Sequence, residues 1–147
     1  MSFYQDLKKF KTDTALVFRE NEIISYENLL VESGKFASKV KNRSLIFILI
    51  DNDLESIVAL IGSEISNSVI MLLPPNINHK ALLKLINLYS PDYIFVNKQV
   101  KLKINNFESV YTYSSYELLK IRNFFFKKID EELLLLQTTS GSTGSPK

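Results

Sequence analysis

The sequence contains no cysteine and a single histidine, His79. Without thiols, neither a disulfide framework nor a thiolate metal site can form. One imidazole builds neither a multi-histidine metal centre nor a two-histidine relay. Charge of one sign is also scarce: 18 Lys and Arg face 16 Asp and Glu, for a net charge of +2. With no basic cluster in the chain, this balance argues against nucleic acid or a membrane surface as partner. Long hydrophobic runs are missing. The longest, Leu45 to Ile50, falls far short of the ~20 residues that a spanning helix needs. Met1 to Asp13 is interrupted by Gln5, Asp6, Lys8, Lys9 and Lys11 and does not read as a signal peptide. Together these absences predict a soluble cytoplasmic protein.

What is present suits a folded domain. The chain has 147 residues, of which 46% are hydrophobic and 23% charged, enough for one unit with a sizeable core. Short apolar runs alternate with helical patterns. Thr14 to Phe18 reads as a strand, Arg19 to Glu22 as a turn and Ile23 to Ser25 as a return strand. A helix is expected from Tyr26 to Val40, with Ser25 as N-cap and Glu27 in the first turn. Ser44 to Ile50, continuously apolar after its first residue, predicts a strand buried on both faces, as in a parallel sheet. Asn52 and Glu55 resemble a capping pair that opens a helix over Asp53 to Ile65. Val69 to Leu73 reads as a strand ended by Pro74 and Pro75. A helix over His79 to Tyr89 is stopped by Pro91, and Asp92 to Val96 forms the next strand. The alternation predicts a parallel α/β layer with flanking helices, preceded by a small β-hairpin. Further on, Ser109 to Tyr113 is expected as a strand and Tyr116 to Ile121 as a short helical turn. Phe124 to Lys128 reads as a strand or loop segment folded onto the core. Leu133 to Leu136 is a last apolar strand. No internal repeat or linker divides the chain.

That last strand runs into a string of small polar residues. Gly141 and Gly144 are two of only 4 glycines in the chain. Glycine permits left-handed backbone angles, so successive N–H groups can converge on an anion. Thr139, Ser140, Ser142, Thr143 and Ser145 add hydroxyl donors. Pro146 biases Ser145 toward an extended conformation, and Lys147 adds a positive charge. Composition alone would suit a flexible linker. The order of the residues, and their place after a buried strand, argue instead for a cradle that holds phosphate oxygens. Rival motifs fail by position. A Walker loop would need glycine where Pro146 stands. A nucleophile elbow would need Gly-x-Ser-x-Gly, and the glycines lie three apart. A Ser-x-x-Lys pair would need serine where Gly144 stands, and a dinucleotide fingerprint lacks its glycine two before Gly141.

Thr139-Ser140-Gly141-Ser142-Thr143-Gly144-x-Pro146-Lys147 resembles the phosphate-loop signature of the adenylate-forming (AMP-binding) superfamily, which holds acyl-CoA synthetases, peptide-synthetase adenylation domains and luciferases. Every constrained position is matched. Thr138 departs from the pattern, since many members carry an aromatic residue there. Ile24 to Leu29 also resembles the opening of the family's first helix. Ile57 to Pro75 is similar to its helix, turn and proline-ended strand, and Pro91 to Phe95 to its next strand.

The resemblance implies that residues 1–147 form an incomplete N-terminal subdomain of an AMP-binding domain, the front of the large domain of an acetyl-CoA synthetase-like fold, without the C-terminal lid. In the family a carboxylate attacks the ATP α-phosphate, giving an acyl-adenylate and pyrophosphate. The acyl group then passes to a thiol of coenzyme A or of a carrier phosphopantetheine. The implied roles here are ATP phosphate binding by Thr139, Ser140, Gly141, Ser142, Thr143, Gly144 and Lys147. ATP with Mg2+ is the implied nucleotide. A small carboxylic or amino acid, and an acyl or peptidyl carrier protein, are the implied partners. The family's magnesium glutamate, ribose-binding aspartate and catalytic lysine would lie beyond Lys147. No catalytic residue or metal ligand is therefore expected within the chain, and the chain alone is expected to be inactive. Its start at Met1 suggests a freestanding enzyme rather than an internal synthetase module. The alternative is a non-catalytic α/β domain or remnant with an anion-binding loop. Asp51 and Asp53 read as cap and turn residues rather than a carboxylate pair, and Tyr111, Tyr113 and Tyr116 as ordinary aromatics.

Overall fold

The computed structural model describes residues 3–18, 22–102, 105–122 and 129–137. A short helix α1 (Phe3–Leu7) and a 3-10 turn (Lys8–Phe10) precede an antiparallel pair, β1 (Thr14–Val17) and β2 (Ile23–Ser25). Helix α2 (Tyr26–Ala37) begins where its cap predicts: the Ser25 hydroxyl accepts a hydrogen bond from the Asn28 N–H. Strand β3 (Leu45–Leu49), helix α3 (Leu54–Ile65), strand β4 (Val69–Leu73), helix α4 (His79–Tyr89) and strand β5 (Tyr93–Asn97) follow. Strands β6 (Phe107–Tyr113), β7 (Tyr116–Ile121) and β8 (Leu135–Gln137) complete the described chain.

Among the described residues, six strands form one sheet in the order β6-β7-β5-β3-β4-β8. Strands β3, β4, β5 and β8 are parallel, and β6 and β7 are antiparallel. All five residues of β3 are buried, which its unbroken apolar run requires of a strand covered on both faces. From β3 the chain crosses to β4 on one side, then returns past β3 to β5 on the other. Right-handed crossovers then put the connecting helices on opposite faces. Accordingly Val58, Ala59 and Ile61 of α3 pack in one core cluster with Phe36, Ile46 and Phe95. Leu82, Leu85 and Ile86 of α4 pack in the other with Phe47, Met71 and Ile94. Burying each of these large apolar side chains contributes about 1.5–3 kcal/mol.

Helices α2 and α3 approach closely at Gly62. A Cβ there would lie 2.6 Å from Phe36 Cδ1 and 2.8 Å from the Ser33 carbonyl oxygen. Only glycine leaves room for that contact.

Two expectations are corrected. Tyr116 to Ile121 is strand β7, not a helical turn, and it is paired on both sides with β5 and β6. Its apolar residues 116, 118, 119 and 121 mimic helical spacing because both of its faces are buried. The cap of α3 is Asp53 rather than Asn52, with Asp53 Oδ1 accepting from the Ser56 N–H at 2.9 Å. Edge strand β6 starts at Phe107, two residues ahead of the expected Ser109, and carries an irregularity between Ser109 and Tyr111.

Candidate functional site

Because β3, β4, β5 and β8 run the same way, their carboxyl ends share one edge of the sheet. At the ends of adjacent strands β3 and β4 the chain leaves toward opposite faces. Open α/β sheets bind their ligands outside such carboxyl ends. Asp51 and Asn52 follow β3, Pro74 and Pro75 follow β4, Asn97 ends β5 and Gln137 ends β8.

The described part of this edge is a closed hydrogen-bond scaffold. The Asp51 N–H donates to Ser56 Oγ at 3.0 Å, and the Asn52 N–H donates to Asp51 Oδ1 at 2.8 Å. Asp53 caps α3 with one oxygen and accepts from the Tyr116 hydroxyl at 2.6 Å with the other. The Ser114–Ser115 turn between β6 and β7 is tied to β5. The Lys98 N–H donates to the Ser115 carbonyl at 2.9 Å, and Lys98 Nζ donates to the Ser114 carbonyl at 3.0 Å. Ser115 Oγ reaches Glu55 Oε1 at 3.5 Å.

Burial, and then the bond to Asp53, push the Tyr116 phenol well above the ordinary tyrosine range. Burial, followed by the negative charge of Glu32, pushes Tyr113 up to about 12. Both phenols stay protonated near neutral pH, and Tyr116 acts as a fixed donor to Asp53. Asp53 is the cap of α3, and Asp51 lies in the connection before it. Tyr116 lies against Phe95, with ring centroids 5.1 Å apart and an interplanar angle of 22°.

Strand β8 brings the chain to this edge. Its pairs with β4 are Ile70 with Leu135, Met71 with Leu136 and Leu72 with Gln137. Gln137 therefore stands one position short of Leu73, the last residue of β4. Upstream, Arg43 Nη2 donates to the carbonyls of Asp130 and Leu133, the latter at 2.9 Å. Neither the Arg43 clamp nor the Tyr116–Asp53 bond was legible beforehand, since their partners lie 87 and 63 residues apart in sequence.

The phosphate-binding candidates Thr139, Ser140, Gly141, Ser142, Thr143, Gly144 and Lys147 lie outside the described residues, as do Phe124 to Lys128. Among the described residues, no group of three His, Asp or Glu could hold a metal ion. No helix among them is long and apolar enough to cross a membrane. A groove of about 440 Å³ lies at the opposite edge, where the C-terminal ends of α2 and α3 meet, lined by Gly34, Ser38, Asn42 and Ser66. We assign the site to the carboxyl edge on strand direction, not to this groove.

No sequence-family profile matches the chain, and no curated protein matches it. Solved structures do. The N-terminal subdomain of Klebsiella oxytoca NpsA aligns over 69% of this chain and 28% of its own, at 11% identity and a TM-score of 0.60. Unliganded O-succinylbenzoate coenzyme A synthetase (MenE) from Bacillus subtilis aligns over 68% of this chain and 23% of its own, at 12% identity and a TM-score of 0.61. MatB from Rhodopseudomonas palustris aligns over 62% and 20%, at 15% identity and a TM-score of 0.56. The chain thus matches only 20–28% of the length of these proteins. The likeness shows the fold: the described chain has the α/β architecture of part of the NpsA N-terminal subdomain.

Proposed function

We propose that this chain is the ATP-phosphate-binding portion of an adenylate-forming, acid–thiol ligase. The observation that carries the reading is the parallel pairing of β8 with β4, which ends at the carboxyl edge one residue before the Thr138 to Lys147 string. The donor set of that string suits a polyphosphate: backbone N–H groups at Gly141 and Gly144, hydroxyls at Ser140, Ser142 and Thr143, and the Lys147 ammonium. In the proposed reaction a substrate carboxylate oxygen bonds to the ATP α-phosphorus as the α–β bridging bond breaks. Pyrophosphate leaves with the electron pair. Donors held around its β- and γ-oxygens stabilise the charge that builds up there, and such preorganised electrostatics is often the largest catalytic contribution. Thr139 would position the loop.

Related complexes support the choice of nucleotide: MenE has been solved with AMP and with ATP and magnesium. Magnesium, when bound, would neutralise phosphate charge; among the described residues no group of three His, Asp or Glu could hold it. The acceptor would be the thiol of coenzyme A or of a carrier protein. An artificially fused adenylation–PCP di-domain of NpsA supports the second option.

Calorimetric titration of pyrophosphate and ATP into the chain tests this reading. Lys147→Ala is expected to weaken binding about tenfold, equivalent to ~1.4 kcal/mol, and Gly141→Val with Gly144→Val to abolish it. Undiminished binding in these variants, or none in the wild-type chain, would refute it.

A further inference from the structure

Arg43 is placed at a cost that its neighbours do not explain. It follows α2 in the turn before β3, with a left-handed φ of 61°. That region is unfavourable for a residue with a Cβ. Its guanidinium is turned inward: Nε and Nη1 are buried and find no hydrogen-bond partner among the described residues. Burying unpaired donors costs free energy. Among the described residues, its side-chain bonds go through Nη2, to the carbonyls of Asp130 and Leu133.

Those two carbonyls belong to one turn. The Leu133 N–H donates to the Asp130 carbonyl at 3.2 Å, and the Glu132 N–H to Asp130 Oδ1 at 2.9 Å. The residue after it, Leu134, accepts the first bond from β4, from the Ile70 N–H at 3.1 Å. Strand β8 itself has only three residues, one described neighbour and a largely exposed surface, with Leu135 43% exposed and the preceding Leu134 67%. So short an edge strand holds its register weakly on its own.

We infer that Arg43 is a latch: by pinning the 130–133 turn it fixes the register of β8 on β4, and so the point from which the 138–147 string leaves the sheet. Arg43 is then a positioning residue for that string. Four residue steps from Leu133 to Gln137, at about 3.3 Å each, separate it from the string by ~13 Å. The latch would act on the string through the strand. The effect on anion binding rests on the function proposed above, whereas the latch itself does not.

The test uses the whole chain and the variants Arg43→Ala and Arg43→Lys, with two measurements. Amide hydrogen exchange is followed at residues 133–137 and, as reference, at Ile46, Ile48 and Phe95. Arg43→Ala is expected to speed exchange about tenfold at 133–137 and to leave the reference amides within about twofold. Arg43→Lys is expected to fall between, because a lysine ammonium is a point charge that cannot reproduce the planar fork. Pyrophosphate titration is then run at low and high salt. A positioning loss, about fivefold in Arg43→Ala, persists at high salt. A direct Coulomb loss across ~13 Å would vanish there, the Debye length being about 3 Å at 1 M. Unchanged exchange at 133–137, or equal acceleration at the reference amides, overturns the latch, as does a binding loss that salt removes. If the wild-type chain binds no pyrophosphate, the proposed function falls and the exchange measurement alone decides the latch.

Discussion

The Tyr116 hydroxyl donates a 2.6 Å hydrogen bond to Asp53 Oδ2, joining strand β7 to the first turn of α3 across 63 residues of sequence. The same carboxylate caps α3 through its other oxygen. One aspartate thus sets both the start of a helix and the seat of an antiparallel strand beside the carboxyl edge.

Removing the hydroxyl with Tyr116→Phe leaves the stacking on Phe95 in place and deletes a hydrogen bond to a charged acceptor. The expected loss is about 1.5 kcal/mol in urea unfolding. Asp53→Ala, which also strips the cap, is expected to lose about 1 kcal/mol more. An unchanged midpoint in Tyr116→Phe would show that the bond contributes nothing.

Alkaline pH should weaken the fold. Folding raises the pKa of Tyr116 and takes that of Tyr113 from 10.0 to about 12. Between these values the native state binds more protons than the unfolded chain, so stability falls as pH rises. The contribution is fully present below pH 10 and is lost as pH climbs through the raised values. Denaturation midpoints compared at pH 9, 10.5 and 11.5 should drop in the wild type and drop less in Tyr113→Phe. Parallel slopes in the two proteins would contradict this.

The glycines of α2 and α3 should respond in opposite directions. Gly62→Ala drives a Cβ into Phe36 and the Ser33 carbonyl, and is expected to cost about 1–3 kcal/mol. Gly34→Ala meets nothing within 4 Å and should stabilise the helix by about 0.5–1 kcal/mol. Thermal unfolding of both variants reads the difference, and a stabilised Gly62→Ala would mean that the helices can separate there.

The 147-residue chain is expected to show no ATP–pyrophosphate exchange even if it binds pyrophosphate, because the family resemblance places the groups that complete the proposed reaction outside these residues. Turnover by the purified chain would contradict that.

The core was largely legible in the sequence because burial on two faces leaves a plain trace. The apolar run in β3, the proline stop after β4 and the Ser25 cap each gave an element within a few residues of its observed bounds. Strand β7 was misread because its turn gives no local warning. Ser114, with φ 51°, sits where a hairpin commonly signals itself with Asn-Gly. Asp53, not Asn52, is the cap, and its second oxygen accepts from the distant Tyr116, a partner that local sequence does not reveal. The candidate site was legible only as a string of residue types. What the fold adds is the direction of β8 and the edge at which it ends.

The irregular register of β6 between Ser109 and Tyr111 has an effect on association. Kinked edge strands make poor templates for a foreign strand, so that flank is shielded against sheet-to-sheet recruitment.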